Sequence, residues 1–483
     1  MNAIKNVIDS GIVLCQVKRN LIITMYLIGL SALQAQSVKQ DSLNTPSISF
    51  FRAEEDYAYL KHQNSDTVYV VKDKFDPIKF VPLNRKKNIW LSFGGQYRPR
   101  FEYFNHQFLK KSNKSDGYYS HRIALHASIK ITKNFRVFSE FYNGFLSKEG
   151  NIFTQEDPLT LHQLFVESKV NINGSLFSLR LGRQEMSYGI SRLVGMREGP
   201  NIRLSFDAAR LRFKKNRTSI DAFYGKEVLP NVDVFNDTRN KAMGFWGLYS
   251  KFFIKNGNGF TDLYYLGLYR EQNVYEIGTA EEIRHTIGFR MSGKNGRRFF
   301  YNTELMYQFG SFGHKRISSF AIELDYHYTF PEKKYDPVLG IKLDYIMGDK
   351  NANDGKLNTF NSLFTNPTYF GQSATIAPAN LLDIHPSFKL SFTKQISIEM
   401  DWDFLWRASS NDGVYAPAGF LLFTGASNNG KFIGHNPGLN VYWALNRNLS
   451  FDGKFSYLIP GKFIKEQNGS ELTYIAITAS YKI

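Results

Sequence analysis

ISIEMDWDFLW, residues 396–406, alternates with period two. Ile396, Ile398, Met400, Trp402, Phe404 and Trp406 fall on one face of an extended strand, while Ser397, Glu399, Asp401 and Asp403 fall on the other, because successive side chains of a strand point to opposite sides. A helix would place its apolar residues three and four apart, so the alternation argues for strand. One face is wholly apolar and the other mostly charged. In a soluble sandwich the apolar face would meet a second sheet. A chain built almost entirely from such strands can instead close on itself and turn that face to lipid.

Working outward, the same pattern recurs in about eighteen segments from Trp90 to the C-terminus, each near the ~9–11 residues that a tilted strand needs to cross a bilayer. Leu91, Phe93, Tyr97, Phe101 and Tyr103 share a face opposite Ser92, Gln96, Arg98, Arg100 and Glu102. Pro99 lacks a ladder donor and predicts an irregularity there. Ile475, Ile477, Ala479, Tyr481 and Ile483 alternate with polar or small residues to the last position, as a closing strand does. The connections carry a stronger signal. Short turns rich in Asn, Gly and Lys, such as Asn171–Gly174, Lys214–Arg217 and Asn446–Asn448, alternate with long stretches such as 185–203, 228–241, 348–383 and 408–433. Periplasmic turns and outer loops alternate in this way in outer-membrane barrels, and a soluble sandwich has no reason to do so. The short connection Gly310–Lys315 is the exception, since by parity it faces outward. The expected fold is an all-β transmembrane antiparallel barrel of about 18 strands over residues 89–483.

Ahead of the barrel, Lys18 and Arg19 precede the apolar run Leu21–Leu30, and small residues follow at Ser31, Ala32 and Ala35. This order predicts a secretory signal peptide over 1–35, because the run is too short to span a membrane as a helix. Cys15, the one cysteine, lies before that run, so the mature chain is expected to carry none, which excludes thiol catalysis and zinc–thiolate sites. Residues 36–88 are polar and irregular apart from a short expected strand at Thr67–Val71; they read as a periplasmic N-terminal segment, either a leader or a plug folded back into the barrel. Aromatic residues make up 16% of the chain, yet the mean hydropathy is −0.33, as expected of a barrel with a lipid face and a watery lumen. Residues 1–35 carry Lys5, Lys18 and Arg19 against Asp9, so a net +2 of the total +17 leaves +15 on the mature chain. On an exported protein that excess points to an acidic solute or a membrane surface rather than to nucleic acid.

The face opposite the apolar one collects arginines: Arg98, Arg100, Arg122, Arg180, Arg210, Arg212, Arg290 and Arg298, with Lys130, Lys342, Lys389 and Lys454. Guanidinium forks suit carboxylates and phosphates, and basic rings in a pore favour anions. Glu102, Glu140, Glu167, Glu304, Glu323, Asp325, Asp344, Glu399, Asp401, Asp403 and Asp452 share that face by parity, so the same arginines serve equally well in cross-strand salt bridges. An anion path and an internally neutralised wall are both open. Asp349, Asn351, Asn353 and Asp354 hint at a calcium loop, but the glycine at Gly355 comes one place late for that motif, and a solvated loop that could also fold inward as a gate is the plainer reading. His121, His126, His162, His285, His327, His385 and His435 are scattered without metal-ligand spacing, and no serine sits in a nucleophile elbow, so neither an enzyme nor a bound cofactor is expected.

The stretch 179–213, LRLGRQEMSYGISRLVGMREGPNIRLSFDAARLRF, together with GDKNANDG at 348–355, LNTFNSLFTNPTYFGQ at 357–372 and NLLD at 380–383, resembles the alginate export family of outer-membrane barrels. The likeness runs from about Trp90 to the C-terminus. Its recurring Gly-Arg-Gln strand end, Arg-Leu loop and Phe-Asp-Gly-x-Arg strand are matched by Gly182, Arg183, Gln184, Arg192, Leu193, Phe206, Asp207 and Arg210, with Ala208 where glycine is usual. The resemblance implies an eighteen-stranded barrel with an electropositive constriction that passes a polyuronate outward. By parity Arg183 and Asp207 belong at the rim or in a loop, and Arg180, Arg210 and Arg212 belong in the lumen. The expected function is an outer-membrane channel for an anionic polysaccharide or oligosaccharide, with a general diffusion porin for small anionic solutes as the alternative. Outer-membrane lipid is the expected surrounding, and a periplasmic protein is a further candidate partner.

Overall fold

The computed structural model describes residues 48–62, 73–147, 154–254, 258–417 and 419–483. The signal peptide, Cys15 and the expected strand Thr67–Val71 lie outside the described residues. Contacts divide the chain into a large unit holding Ile48–Tyr57 and Pro77–Ile483, and a small one holding Ala58–Asp76, in which Ala58–His62 forms a 3-10 turn.

Eighteen long strands run through the described residues of the large unit. The first six are β1 (Trp90–Asn105), β2 (Asp116–Thr132), β3 (Phe135–Leu146), β4 (Asp157–Ile172), β5 (Ser175–Gln184) and β6 (Phe206–Lys215). Next come β7 (Thr218–Leu229), β8 (Met243–Phe253), β9 (Gly259–Tyr275), β10 (Gly278–Asn295), β11 (Phe299–Phe312) and β12 (Lys315–Thr329). The last are β13 (Val338–Ile346), β14 (Leu381–Ser391), β15 (Ile396–Trp406), β16 (Phe432–Ala444), β17 (Leu449–Pro460) and β18 (Leu472–Lys482). Each pairs antiparallel with its neighbours in sequence, and β18 returns to β1, from Gln96 opposite Lys482 to Asn105 opposite Thr473. Closure leaves no sheet edge unpaired.

Alternation puts apolar side chains outside. Leu125 and Ile477 are each 59% exposed on the outer surface, whereas Arg122 is fully buried inside and Ala476 is 1% exposed. In β15, Met400 and Trp402 face outward while Asp403 is buried. Tight turns join strands on one side. Between β4 and β5, Asn173 and Gly174 both adopt positive φ (49° and 74°), the pair of left-handed residues that a two-residue hairpin turn requires. The other side carries the long connections 185–205, 347–380 and 407–431.

The irregularity expected at Pro99 is local: Arg98 and Pro99 lose their ladder partners on β18, while Tyr97 opposite Tyr481 and Arg100 opposite Thr478 keep one register, so no bulge forms. One expectation changes. The short Gly310–Lys315 connection has a companion at 276–277, because β9 and β10 extend to 17 and 18 residues and end in tight turns. A register shift between Arg270 and Asn273 breaks the alternation there, which makes 271–283 read as loop in sequence.

Loops 185–205 and 347–380 fold inward and bond to each other. Gly195 N–H donates to the Phe364 carbonyl at 2.9 Å, Phe364 N–H to Leu193 at 2.8 Å and Asn366 N–H to Ser191 at 2.9 Å. Leu193, Val194, Phe360 and Phe364 then pack with the inward Phe206, Phe223 and Phe245 in one buried cluster. Burial of these aromatics holds the inward fold of both loops.

Candidate functional site: a lumen wall divided by charge

Register brings arginines side by side. Arg98 on β1 stands opposite Arg122 on β2, and Arg180 on β5 opposite Arg210 on β6. Like charges at facing positions repel, so acids must be brought to each pair. At the first pair the acid comes from the inward loop: Glu198 lies 3.2 Å from Arg98 and 2.6 Å from Arg122, and also meets Arg203. Desolvation would raise the Glu198 carboxyl, but Arg122, Arg203 and Arg98 hold it well below the ordinary range. Arg98 further donates to the Pro200 carbonyl at 3.0 Å and to Asn201 Oδ1 at 3.0 Å, and Arg100 donates to the Gly199 carbonyl at 2.7 Å. Arg98, Arg100 and Arg122 therefore clamp residues 198–201 into the lumen.

At the second pair the acids come from the strands and from the N-terminal segment. Arg180 meets Glu167 at 2.9 Å and Glu54 at 3.0 Å. Asp221 on β7 lies 2.5 Å from Arg210 and 2.8 Å from Arg212. Arg136 on β3 joins Glu167 at 2.7 Å. Arg136 and Arg203 are missing from the sequence reading of the site; the shared parity of Arg136 and Glu140 was the available signal for the first.

The sector from β11 to β14 is acidic. Glu304, Glu323, Asp344 and Asp383 are successive cross-strand partners on β11, β12, β13 and β14. Arg192, from the inward loop, reaches Glu323 at 2.7 Å and Glu304 at 3.6 Å and stacks on Tyr369 at 4.6 Å. Arg290 is closed by Asp262 at 2.8 Å and Asn302 at 2.7 Å. Arg298 does not line the lumen. It sits in the turn before β11, 57% exposed, and pairs at 2.6 Å with Glu332 of the next turn.

Among the described residues, two buried clusters offer metal-ligand atoms within 4.8 Å of one another, Glu140 with His162 and Glu185, and Asp383 with His385 and Asp403. Spacing along the chain hides both, since β-sheet register and a loop assemble them. In the first, His162 meets Glu185 at 2.9 Å and Arg203 closes the set at 3.3 Å. In the second, His385 lies 2.5 Å from Asp403 and 3.5 Å from Asp401. The candidate calcium residues are engaged in the loop's own bonds. Asp349 is buried, whereas Asn351 Oδ1 accepts from Asn353 N–H at 3.0 Å and Asp354 Oδ1 from Lys356 N–H at 2.9 Å, which caps a turn.

Arg183 and Asp207 are register partners at the loop end of β5 and β6, bonded at 3.0 Å, and Arg239 joins Asp207 at 3.2 Å. They share the outward face with Leu179, Leu181 and Leu211. The preceding Gly182 has φ +128°, and a Cβ there would lie 2.2 Å from the Leu164 carbonyl oxygen, so the Gly-Arg-Gln strand end needs its glycine.

Residues 89–478 match the family model described as alginate export. Among curated proteins none matches this chain. Solved structures of similar fold include OccK2 (OpdF) of Pseudomonas aeruginosa, with a TM-score of 0.54 and 11% identity over 81% of this chain and 97% of that one. The same protein in complex with glucuronate aligns at TM-score 0.53 and 10% identity, over 81% and 98% of the two chains. A BenF-like porin from Pseudomonas fluorescens Pf-5 aligns at 0.54 and 11%, over 81% and 98%. At such identities the likeness is one of fold. Matched from residue 89 to 478 and closed into a barrel with a charged lumen, the chain belongs to the alginate export family of outer-membrane channels.

Proposed function

We propose that this outer-membrane channel passes an anionic polysaccharide or oligosaccharide, a uronate polymer by class, along the arginine-bearing sector of its lumen. One observation carries the reading: Arg180 and Arg212 face a carboxylate in the lumen, that of Glu54, at 3.0 and 3.9 Å. Guanidinium–carboxylate bonding at that place is the chemistry a uronate needs, and an adjacent arginine pair offers successive sugars successive partners. The glucuronate bound to OccK2 belongs to the same chemical class.

A second reading is a diffusion porin for small anionic solutes. The cross-bonded loops 185–205 and 347–380 favour it, because they narrow the lumen that a polymer would thread. Single-channel recording of the refolded mature protein in a planar bilayer separates the two. Anion-selective current blocked by micromolar polyuronate supports the polymer channel. Anion-selective current that polyuronate leaves unchanged supports the porin.

A further inference from the structure

Residues Ile48–Tyr57 do not hang free of the barrel. Arg52–Glu54 makes one 3-10 turn against the inner wall at the turn side. Arg136 Nη2 donates to the Ala53 carbonyl at 2.7 Å, and Lys130 meets Asp56 at 3.1 Å. Arg52 binds Glu55 at 2.9 Å and donates to the carbonyl of Ile483, the last residue of the chain. Ala53 is 5% exposed and packs with Phe138 and Phe165. Ile48, Phe50, Phe51 and Tyr57 add apolar surface, with Tyr57 7% exposed and Arg203 over the Phe50 ring at 4.6 Å, so polar contacts and ring packing together hold the segment.

The Glu54 side chain is 43% exposed, against 6% for Arg180 and 23% for Arg212, so of its two arginines Arg212 is the one open to a lumenal solute. The strands of this sector carry Arg136, Arg180, Arg210 and Arg212 against Glu167 and Asp221, and Glu54 supplies negative charge that the strands lack.

We infer that Ile48–Tyr57 is a built-in plug whose Glu54 occupies a carboxylate-binding subsite formed by Arg180 and Arg212, and that a uronate entering from the periplasm displaces it. The inference rests on the proposed anionic cargo. Exchange of one carboxylate for another leaves the arginines satisfied throughout, so the site opens without stranding buried charge. A tethered competitor acts at an effective concentration of about millimolar, so a uronate oligomer, which engages several arginines at once, displaces the plug at lower concentration than the monomer.

The test is thiol labelling of full-length Ala53→Cys in a Cys15→Ser background, reconstituted in detergent, with a water-soluble maleimide. Labelling is expected to be slow at rest, to rise ~10-fold with added Glu54→Gln or with oligogalacturonate, and to ignore uncharged maltose at the same concentration. Gel mobility of the unheated barrel confirms that each variant is folded. Fast labelling at rest overturns the plug. Acceleration by Glu54→Gln but not by uronate overturns the shared subsite, and equal acceleration by maltose does the same. The proposed cargo fails separately, if Glu54→Gln channels conduct anions and polyuronate does not block them.

Discussion

Arg180 and Arg210 face each other across β5 and β6, two guanidiniums on adjacent strands of one lumen wall. The pair stands because Glu167 flanks one side and Asp221 the other. Asp221 is 4% exposed and serves both Arg210 and Arg212, so Asp221→Asn leaves two charges with a weaker partner. Barrel stability in a urea titration is expected to fall by about 3 kcal/mol, the scale for breaking a buried ion pair from one side. A change under about 0.5 kcal/mol would mean that lumenal water screens the pair.

Selectivity should follow the same residues. Arg180→Ala with Arg210→Ala removes the positive charge that the wall presents beside Glu54. In a salt gradient the anion-directed reversal potential is expected to drop by roughly half or more, and an unchanged potential would remove these arginines from the ion path. Arg298→Ala, in the exposed turn, should leave the potential unchanged.

Glu198 ties a loop to a wall. Glu198→Gln deprives Arg98, Arg122 and Arg203 of their common carboxylate. Loop 185–205 should then leave its inward position for a larger fraction of the time. The expected signs are noisier single-channel current and faster tryptic cleavage after Arg197, by roughly tenfold for each ~1.4 kcal/mol of lost docking energy.

Acid should release the N-terminal segment. Burial raises the Glu54 carboxyl and Glu167 opposes its ionisation, yet Arg180, Arg210 and Arg136 outweigh both and hold it below its ordinary value of 4.5. A depressed carboxylate stabilises the docked state above the free value and loses that contribution as pH falls through the bound one. Conductance should therefore be steady near neutrality and rise below pH of about 4.5, and Glu54→Gln should be open at both and lack the transition. A transition that survives in Glu54→Gln would assign it to another group.

The rim pair predicts little. Arg183 and Asp207 face outward with their side chains 17% exposed, so Arg183→Ala should cost under about 1 kcal/mol and leave anion selectivity as it was. A loss of selectivity equal to that of Arg180→Ala would place Arg183 in the path.

Much of this architecture is written locally. Period-two alternation in ISIEMDWDFLW and its counterparts determines strands with one lipid face, and the short turns between them determine antiparallel neighbours, because both depend on residues close in the chain. That is why the strand number, the closing strand and the lumenal side of Arg98, Arg122, Arg180 and Arg210 could be read directly. Arg298 was misplaced because parity carries no mark of where a strand begins.

What parity cannot supply is register between strands and the path of the loops. Whether Arg180 meets Glu167, Asp221 or a solute depends on which residues lie across the sheet. Whether Arg98 lines a path or clamps Glu198 depends on where residues 185–205 go after leaving β5. The sequence by itself determined a closed barrel with a charged interior. Only the tertiary structure decided which charges are already paired, because ion pairing needs atoms within about 4 Å, and those atoms come from segments far apart in the chain, Glu54 beside Arg180 being the case on which the channel's gating would turn.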